Sequence, residues 1–223
     1  MTRYLIPAER TRSEILVVNS RFIATIGPAF SVEQAREFIA EVRNEFADAT
    51  HNVPAFIIGH GASVTTHTSD DGEPAGTAGR PALAVLTGSG LGDAVVVVTR
   101  YFGGTKLGKG GLVRAYSDAV RTVLSILPRA ERVPTYTVML AMPYSLFERA
   151  RILVNNHGGQ ILDESFAADV TLTARFSIER FESFQAGLAE LSNGTLQAEI
   201  IESSDAIVPT GTFGEADGGP PET

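Results

Sequence analysis

Between residues 32 and 46 the apolar side chains fall on a helical period: Val32, Ala35, Phe38, Ile39, Val42 and Phe46 share one face. That pattern predicts an amphipathic helix over roughly 32–47, and Ser31-x-x-Gln34 supplies a capping box at its start. Upstream, 13–18 and 21–27 hold strand-forming residues on either side of an Asn19-Ser20 turn and read as a hairpin. Short strands are predicted at 53–58 and 63–68, followed by a polar segment, 69–74. Pro81 suits the first turn of a short helix over 81–86. The uninterrupted apolar run 94–99 predicts a buried strand. A glycine-rich loop at 103–111 then opens a helix from Leu112 to about Leu127, with Pro128 at its exit.

The second half is more regular. A strand at 135–142, a helix at 145–156 stopped by His157-Gly158-Gly159, and strands at 160–166 and 169–178 follow in order. A helix at 179–191 ends at Asn193-Gly194, and 195–203 forms a last strand. The order β-α-β-β-α-β is that of a ferredoxin-like split arrangement, so the fold class expected is α+β. The domains expected are 1–132 and 133–208, divided at Arg132-Val133-Pro134, with a tail at 209–223. From Phe213 to Thr223 the composition is rich in Gly, Pro and acid, which predicts disorder.

Charge sharpens this division. The net charge of −8 splits into 14 Lys+Arg against 13 Asp+Glu over residues 1–132, and 4 against 13 over 133–223. An acidic whole argues against nucleic-acid binding through bulk charge, though a local basic site is compatible with it. The absence of cysteine excludes disulfides, thiolate metal sites and a cysteine nucleophile. No apolar run approaches the roughly 20 residues of a membrane span, and residues 1–12 show no signal-peptide core, so a cytoplasmic protein with no membrane partner is expected.

Two loops concentrate the chemistry. The first runs from Thr66 to Pro81 and places Asp70, Asp71 and Glu73 within four residues, ahead of Gly76-Thr77-Ala78-Gly79. Those carboxylates suit a base, a cation site or a partner contact, and the same Asp-Gly and Glu-Pro dipeptides suit a solvated turn. The second runs from Thr99 to Tyr116 as strand, glycine loop and helix, with free amides expected at the helix start, which is an anion-binding geometry. Arg100, Lys106, Lys109, Arg114 and Arg121 stand there against Asp118, and Tyr101, Phe102 and Tyr116 add stacking surfaces of the kind that single-stranded nucleic acid uses. Gly103 to Lys109 matches G-x-x-x-x-G-K, but Gly110 occupies the position where a P-loop needs Ser or Thr for magnesium, which argues against ATP hydrolysis. His51, His60 and His67 lack metal-ligand spacing, and no G-x-S-x-G elbow is present; no metal and no cofactor are expected.

Taken with Asp48-Ala49-Thr50-His51-Asn52, these loops resemble the IMPACT (YigZ-like) family. The matching strings are Ser69-Asp70-Asp71-Gly72-Glu73-Pro74 with Gly76-Thr77-Ala78-Gly79, Val98 through Gly104, Leu107-Gly108, and Gly110-Gly111-Leu112-Val113-Arg114-Ala115-Tyr116, and they cover about 4–130. The resemblance implies an N-terminal fold of the class named for the second domain of ribosomal small-subunit protein five. Elongation factor G, ribonuclease P protein and GHMP-type small-molecule kinases share that class. The rest of the chain resembles the small ferredoxin-like domain attached to bacterial members, similar to a domain of elongation factor G. Eukaryotic members regulate translation through a further N-terminal domain outside the matching residues.

Two functions are compatible with these residues. One is a non-catalytic, translation-associated factor that binds RNA or the ribosome. It would use Arg100, Tyr101, Phe102, Gly103, Gly104, Lys106, Lys109, Gly110, Gly111 and Arg114 as its nucleic-acid or anion site. The other is an enzyme acting on a phosphorylated small molecule, in which Asp70, Asp71 or Glu73 serves as base or metal ligand opposite the same anion site.

Overall fold

The computed structural model describes residues 3–210 and divides them into two compact units, Tyr4–Glu131 and the residues from Arg132 onward with Arg3. The expected tail beyond residue 210 lies outside the described residues. Both units mix helices with antiparallel strands, in the two-domain α+β fold expected from the sequence.

The N-terminal unit is built around one strand. After β1 (Tyr4–Pro7) come β2 (Thr11–Val17), β3 (Ser20–Pro28), α1 (Val32–Glu45), β4 (His51–Ile58), β5 (Thr65–Thr68), α2 (Gly79–Gly88), β6 (Ala94–Tyr101) and α3 (Gly108–Ile126). The sheet order is β2-β3-β6-β4-β5, so the apolar run of β6 lies at its centre. Val95 and Val97 pack under α1 with Ala35, Ile39 and Val42. Ala94, Val96 and Val98 pack on the opposite face beneath α2 and α3, with Leu86, Val120 and Val123. Burial on both faces is why β6 reads as a continuous apolar run instead of an alternating one. The capping pair forms: Gln34 N–H donates to Ser31 Oγ at 3.2 Å, and Gln34 Oε1 accepts from Phe30 N–H at 2.8 Å.

Two local expectations in this unit need correction. The first hairpin turns at Val18-Asn19, one residue earlier than predicted, because Val17 and Ser20 are already paired. Val18 and Asn19 have φ of +46° and +64°, the left-handed pair that a two-residue hairpin turn demands. For a β-branched residue that conformation is strained. Ser20 is thereby held in the sheet and fully buried. The helix α3 begins at Gly108, not Leu112, so Gly110 and Gly111 belong to its first turn and the loop is shorter than predicted. Packing of its buried face, Leu112, Ala115, Tyr116 and Ala119, overrides the poor helix propensity of those glycines.

The C-terminal unit holds the rest of β7 (Arg129–Met142), then α4 (Tyr144–Asn156), β8 (Gln160–Phe166), β9 (Val170–Ser177), α5 (Ile178–Leu191) and β10 (Glu199–Pro209). Its strand order β10-β7-β9-β8 is the ferredoxin-like one. Phe147, Ala150 and Val154 of α4 and Phe184 and Leu188 of α5 close its core over Leu140, Leu172 and Phe176. The ladder between β7 and β9 begins at Thr135, immediately after Pro134, whose missing N–H costs the ladder nothing there. The last strand starts at Glu199, later than the predicted 195, because polar groups hold the preceding residues off the sheet. Ser192 Oγ accepts from Leu196 N–H at 3.0 Å, and Gln185 Oε1 accepts from Ala198 N–H at 3.2 Å.

Leu86 is fully buried between α2, α3 and the sheet. Leu86→Ala is expected to lower stability by about 2–5 kcal/mol in urea unfolding without changing the fold; a loss below about 1 kcal/mol would contradict this packing.

Candidate functional site

At one end of the sheet the apolar core gives way to charge. Arg100 on β6 lies in register with Phe22 on β3 and with His51 on β4. Arg100 is only 5% exposed, and its guanidinium lies 5.3 Å from the Phe22 ring centroid and 5.5 Å from that of Phe102. A buried cation needs a buried anion. Glu73, from the acidic loop, supplies it: Arg100 Nη1 donates to Glu73 Oε1 at 2.6 Å, and Tyr116 of α3 donates its hydroxyl to the same oxygen at 2.8 Å. His51 Nε2 stands 3.8 Å away. Burial, and then the charge and hydrogen bond of Glu73, push the Tyr116 hydroxyl far above the ordinary tyrosine range.

The other two carboxylates of the acidic loop turn away from this centre. Asp70 Oδ2 accepts from Gly76 N–H at 2.8 Å, and its Oδ1 accepts from Ala78 N–H at 3.0 Å and Gly79 N–H at 2.9 Å. It therefore caps α2 from outside the helix, where Ala78 at the cap position offers no side chain. Burial pushes the Asp70 carboxyl up, but the amides of Gly76, Gly79 and Ala78 and the charge of Arg80 together outweigh it, so the group lies below its ordinary value. Gly79 has to be glycine at this contact, because a Cβ there would stand 2.4 Å from Thr68 Oγ1 and 2.7 Å from the Ser69 carbonyl oxygen. Asp71, at φ +48°, accepts from Arg43 Nη2 at 2.8 Å and from Asn52 N–H at 2.7 Å, and its carbonyl lies 2.7 Å from His51 Nδ1.

The basic loop is arranged differently. Gly103 crosses so close to the first hairpin that a Cβ would meet the Asn19 carbonyl group at 2.1 Å; its N–H donates to Ser20 Oγ at 3.2 Å. Ser20 Oγ also accepts from Arg100 Nη2 at 3.3 Å. Gly104 and Gly108 have φ of +86° and +70° and let the chain turn into α3. Leu107 at the helix cap makes no side-chain cap bond, so the first amides of α3 have none from it. Lys106, Lys109 and Arg114 are exposed and form no ion pair among the described residues. Arg121, by contrast, pairs with Asp118 at 2.7 Å. Lys106 and Lys109 are also the only lysines in the chain; the other 16 cations are arginines.

Glu73 and Arg100 meet Lys106 and Lys109 in a pocket of about 340 Å³ whose apolar wall comes from Pro74, Phe102, Leu107 and Leu112. Of the predicted residues, this pocket gathers Glu73, Arg100, Phe102, Lys106 and Lys109. Tyr101 lies beside it, donating to Asp48 Oδ1 at 2.7 Å with the Arg21 guanidinium 5.4 Å from its ring centroid; Arg114 lies further along α3. The reading of Tyr116 as a stacking surface is corrected: it is fully buried, edge-on to Phe22. Sequence reasoning missed Ser20, Arg43 and the role of His51, since none shares a local motif with its partners. The family-like string 48–52 did contain His51 and Asn52.

Asp70→Asn is expected to destabilise the unit by about 1–2 kcal/mol at neutral pH through weaker amide contacts. Because the folded-state value is lowered, the advantage of aspartate is complete above the unfolded value of about 3.9 and is lost as pH falls through the depressed one. The melting gap between wild type and variant should therefore close on acidification. A gap that stays constant or widens at low pH would contradict this role.

Comparison with known proteins finds matches in both units. The Impact N-terminal domain matches residues 18–124, and a domain of unknown function, DUF1949, matches 140–195. The IMPACT family member YigZ of Escherichia coli is 38% identical over 203 residues, which is 91% of this chain and 100% of that protein. An IMPACT family member of Haemophilus influenzae is 36% identical over 203 residues, covering 91% of this chain and 98% of that one. A crystal structure of a hypothetical protein, 38% identical, covers 91% of this chain and 98% of its own with a TM-score of 0.62. With identity of this level running across both units, the chain belongs to the IMPACT family.

Proposed function

We propose that the N-terminal unit is a non-catalytic, translation-associated module that binds RNA, free or in the ribosome, through the surface formed by Lys106, Lys109, Arg114 and the first turn of α3. The observation that carries this reading is the contrast between the two loops. Each carboxylate of the acidic loop is answered in place: Asp70 by three amides, Asp71 by Arg43, and Glu73 by Arg100. The three cations beside them have no carboxylate to answer them among the described residues. The surface left over is positive, and three cations beside the opening turn of a helix suit phosphate oxygens. The translational setting comes from the fold class that the family resemblance implies.

The enzyme reading is weaker for the same reason. Asp70 and Asp71 hold α2 and β4 in position, which leaves them engaged and unsuited to act as a base or as cation ligands. Residues 133–223, with 4 Lys+Arg against 13 Asp+Glu, are not expected to contribute to phosphate binding.

Lys106→Ala combined with Lys109→Ala should leave the melting temperature unchanged, since both side chains are exposed. RNA affinity should weaken evenly across sequences. The slope of log affinity against log salt should fall by about 0.7 for every phosphate of a single strand that the lysines no longer neutralise. Unchanged affinity and slope in fluorescence anisotropy titrations would reject the proposal.

A further inference from the structure

Glu73 and Arg100 leave hydrogen-bonding capacity that the phosphate surface does not use. Glu73 Oε1 accepts from Arg100 Nη1 and from the Tyr116 hydroxyl, which occupies both of its lone pairs. Oε2 accepts no hydrogen bond among the described residues, although the side chain is only 4% exposed. Arg100 places Nη1 on Glu73 and Nη2 on Ser20, while its Nε–H is buried without an acceptor. Glu73 Oε2 is an open acceptor within reach of solvent, and the Arg100 guanidinium has N–H groups beyond those placed on Glu73 and Ser20, so the two residues of one pocket suit a ligand that brings both a donor and an acceptor.

The rest of the pocket limits what that ligand can be. Its volume of about 340 Å³ lies at the small end of ligand sites, and its wall is apolar. The Phe102 ring, in a residue 46% exposed, offers a face for stacking. Lys106 and Lys109 line the same pocket and place positive charge beside whatever enters it. A flat ring with a donor beside an acceptor on its edge, attached to an anionic backbone, meets all of these conditions. The Watson–Crick edge of every standard nucleobase has such a donor–acceptor pair.

We infer that this pocket takes one unstacked nucleobase of a bound single strand, its Watson–Crick edge on Glu73 and Arg100, its face on Phe102, and its flanking phosphates on Lys106 and Lys109. This rests on the RNA-binding reading and adds to it a requirement for an unpaired base. Base pairing conceals the edge that the pocket reads, so a duplex keeps only the phosphate contacts. The preference is for strandedness more than for sequence.

The test compares short oligouridylate, the same oligomer built from 3-methyluridine, and a duplex of equal length, by fluorescence anisotropy at one salt concentration. Methylation at N3 removes the edge donor and leaves the phosphate charge untouched. Oligouridylate should bind about tenfold tighter than the methylated strand, the change expected for losing a hydrogen bond to a charged group, and tighter than the duplex. Phe102→Ala, at a half-exposed position beside Arg100, should shrink both differences while leaving the salt slope of the methylated strand as in wild type, with an unchanged melting curve showing that the buried pair stays in place. Equal, lysine-dependent binding of all three nucleic acids would overturn the pocket inference and leave the phosphate surface standing. Absence of binding to any of them would remove both.

Discussion

Glu73 and Arg100 hold opposite charges 2.6 Å apart at the end of a sheet whose central strand is a largely apolar run. Removing either partner leaves an unpaired buried charge, at a cost of about 3–5 kcal/mol, against a total stability of about 5–15 kcal/mol for an ordinary domain. The pair therefore acts as a structural condition on everything that touches it. Arg100 fixes β6 against Ser20 of β3 and against two aromatic rings; Glu73 fixes the acidic loop against Tyr116 of α3. Sheet, acidic loop and helix meet at two side chains, and the pocket is the space left where they meet.

The same condition sorts the charges around it. Arginines whose partners lie in neighbouring helices and loops, such as Arg43 with Asp71 and Arg12 with Glu45, serve the fold. Planar guanidinium forks suit such fixed, directional pairs better than ammonium groups do. The two lysines stand outside this system: Lys106 before α3 and Lys109 in its first turn form no ion pair among the described residues. A compact, well-hydrated ammonium on a flexible stem is suited to a ligand that arrives and leaves.

Much of this was legible in the sequence. The buried strand at 94–99, the capped helix from Ser31 and the ferredoxin-like order of the second half each follow from local periodicity and turn chemistry, and each forms. The two chemically dense loops were also visible as strings, but their division of labour was not. Whether a carboxylate such as Asp70 faces solvent or three amides depends on where Gly76, Ala78 and Gly79 fold back to, which no spacing states. Tyr116 shows the same limit, since an aromatic at the edge of a cationic string turns inward once Phe22 and Glu73 are brought across from other strands and loops. The early start of α3 and the strained Val18 turn were hidden because packing decided them against local propensity.

Ser20 accepts hydrogen bonds from Arg100 and Gly103, 80 and 83 residues away along the chain, and Glu73 reaches Tyr116 across 43. Contacts of such long range are entropically expensive to close and form only when the strands between them have paired. A chain emerging from synthesis thus has the loop sequences long before it has the recess between them, which is complete only after α3 has docked. Any molecule held there is bound by the finished unit alone, and by mass action it would draw partly folded chains toward completion. Occupancy of this recess would then report that folding is over.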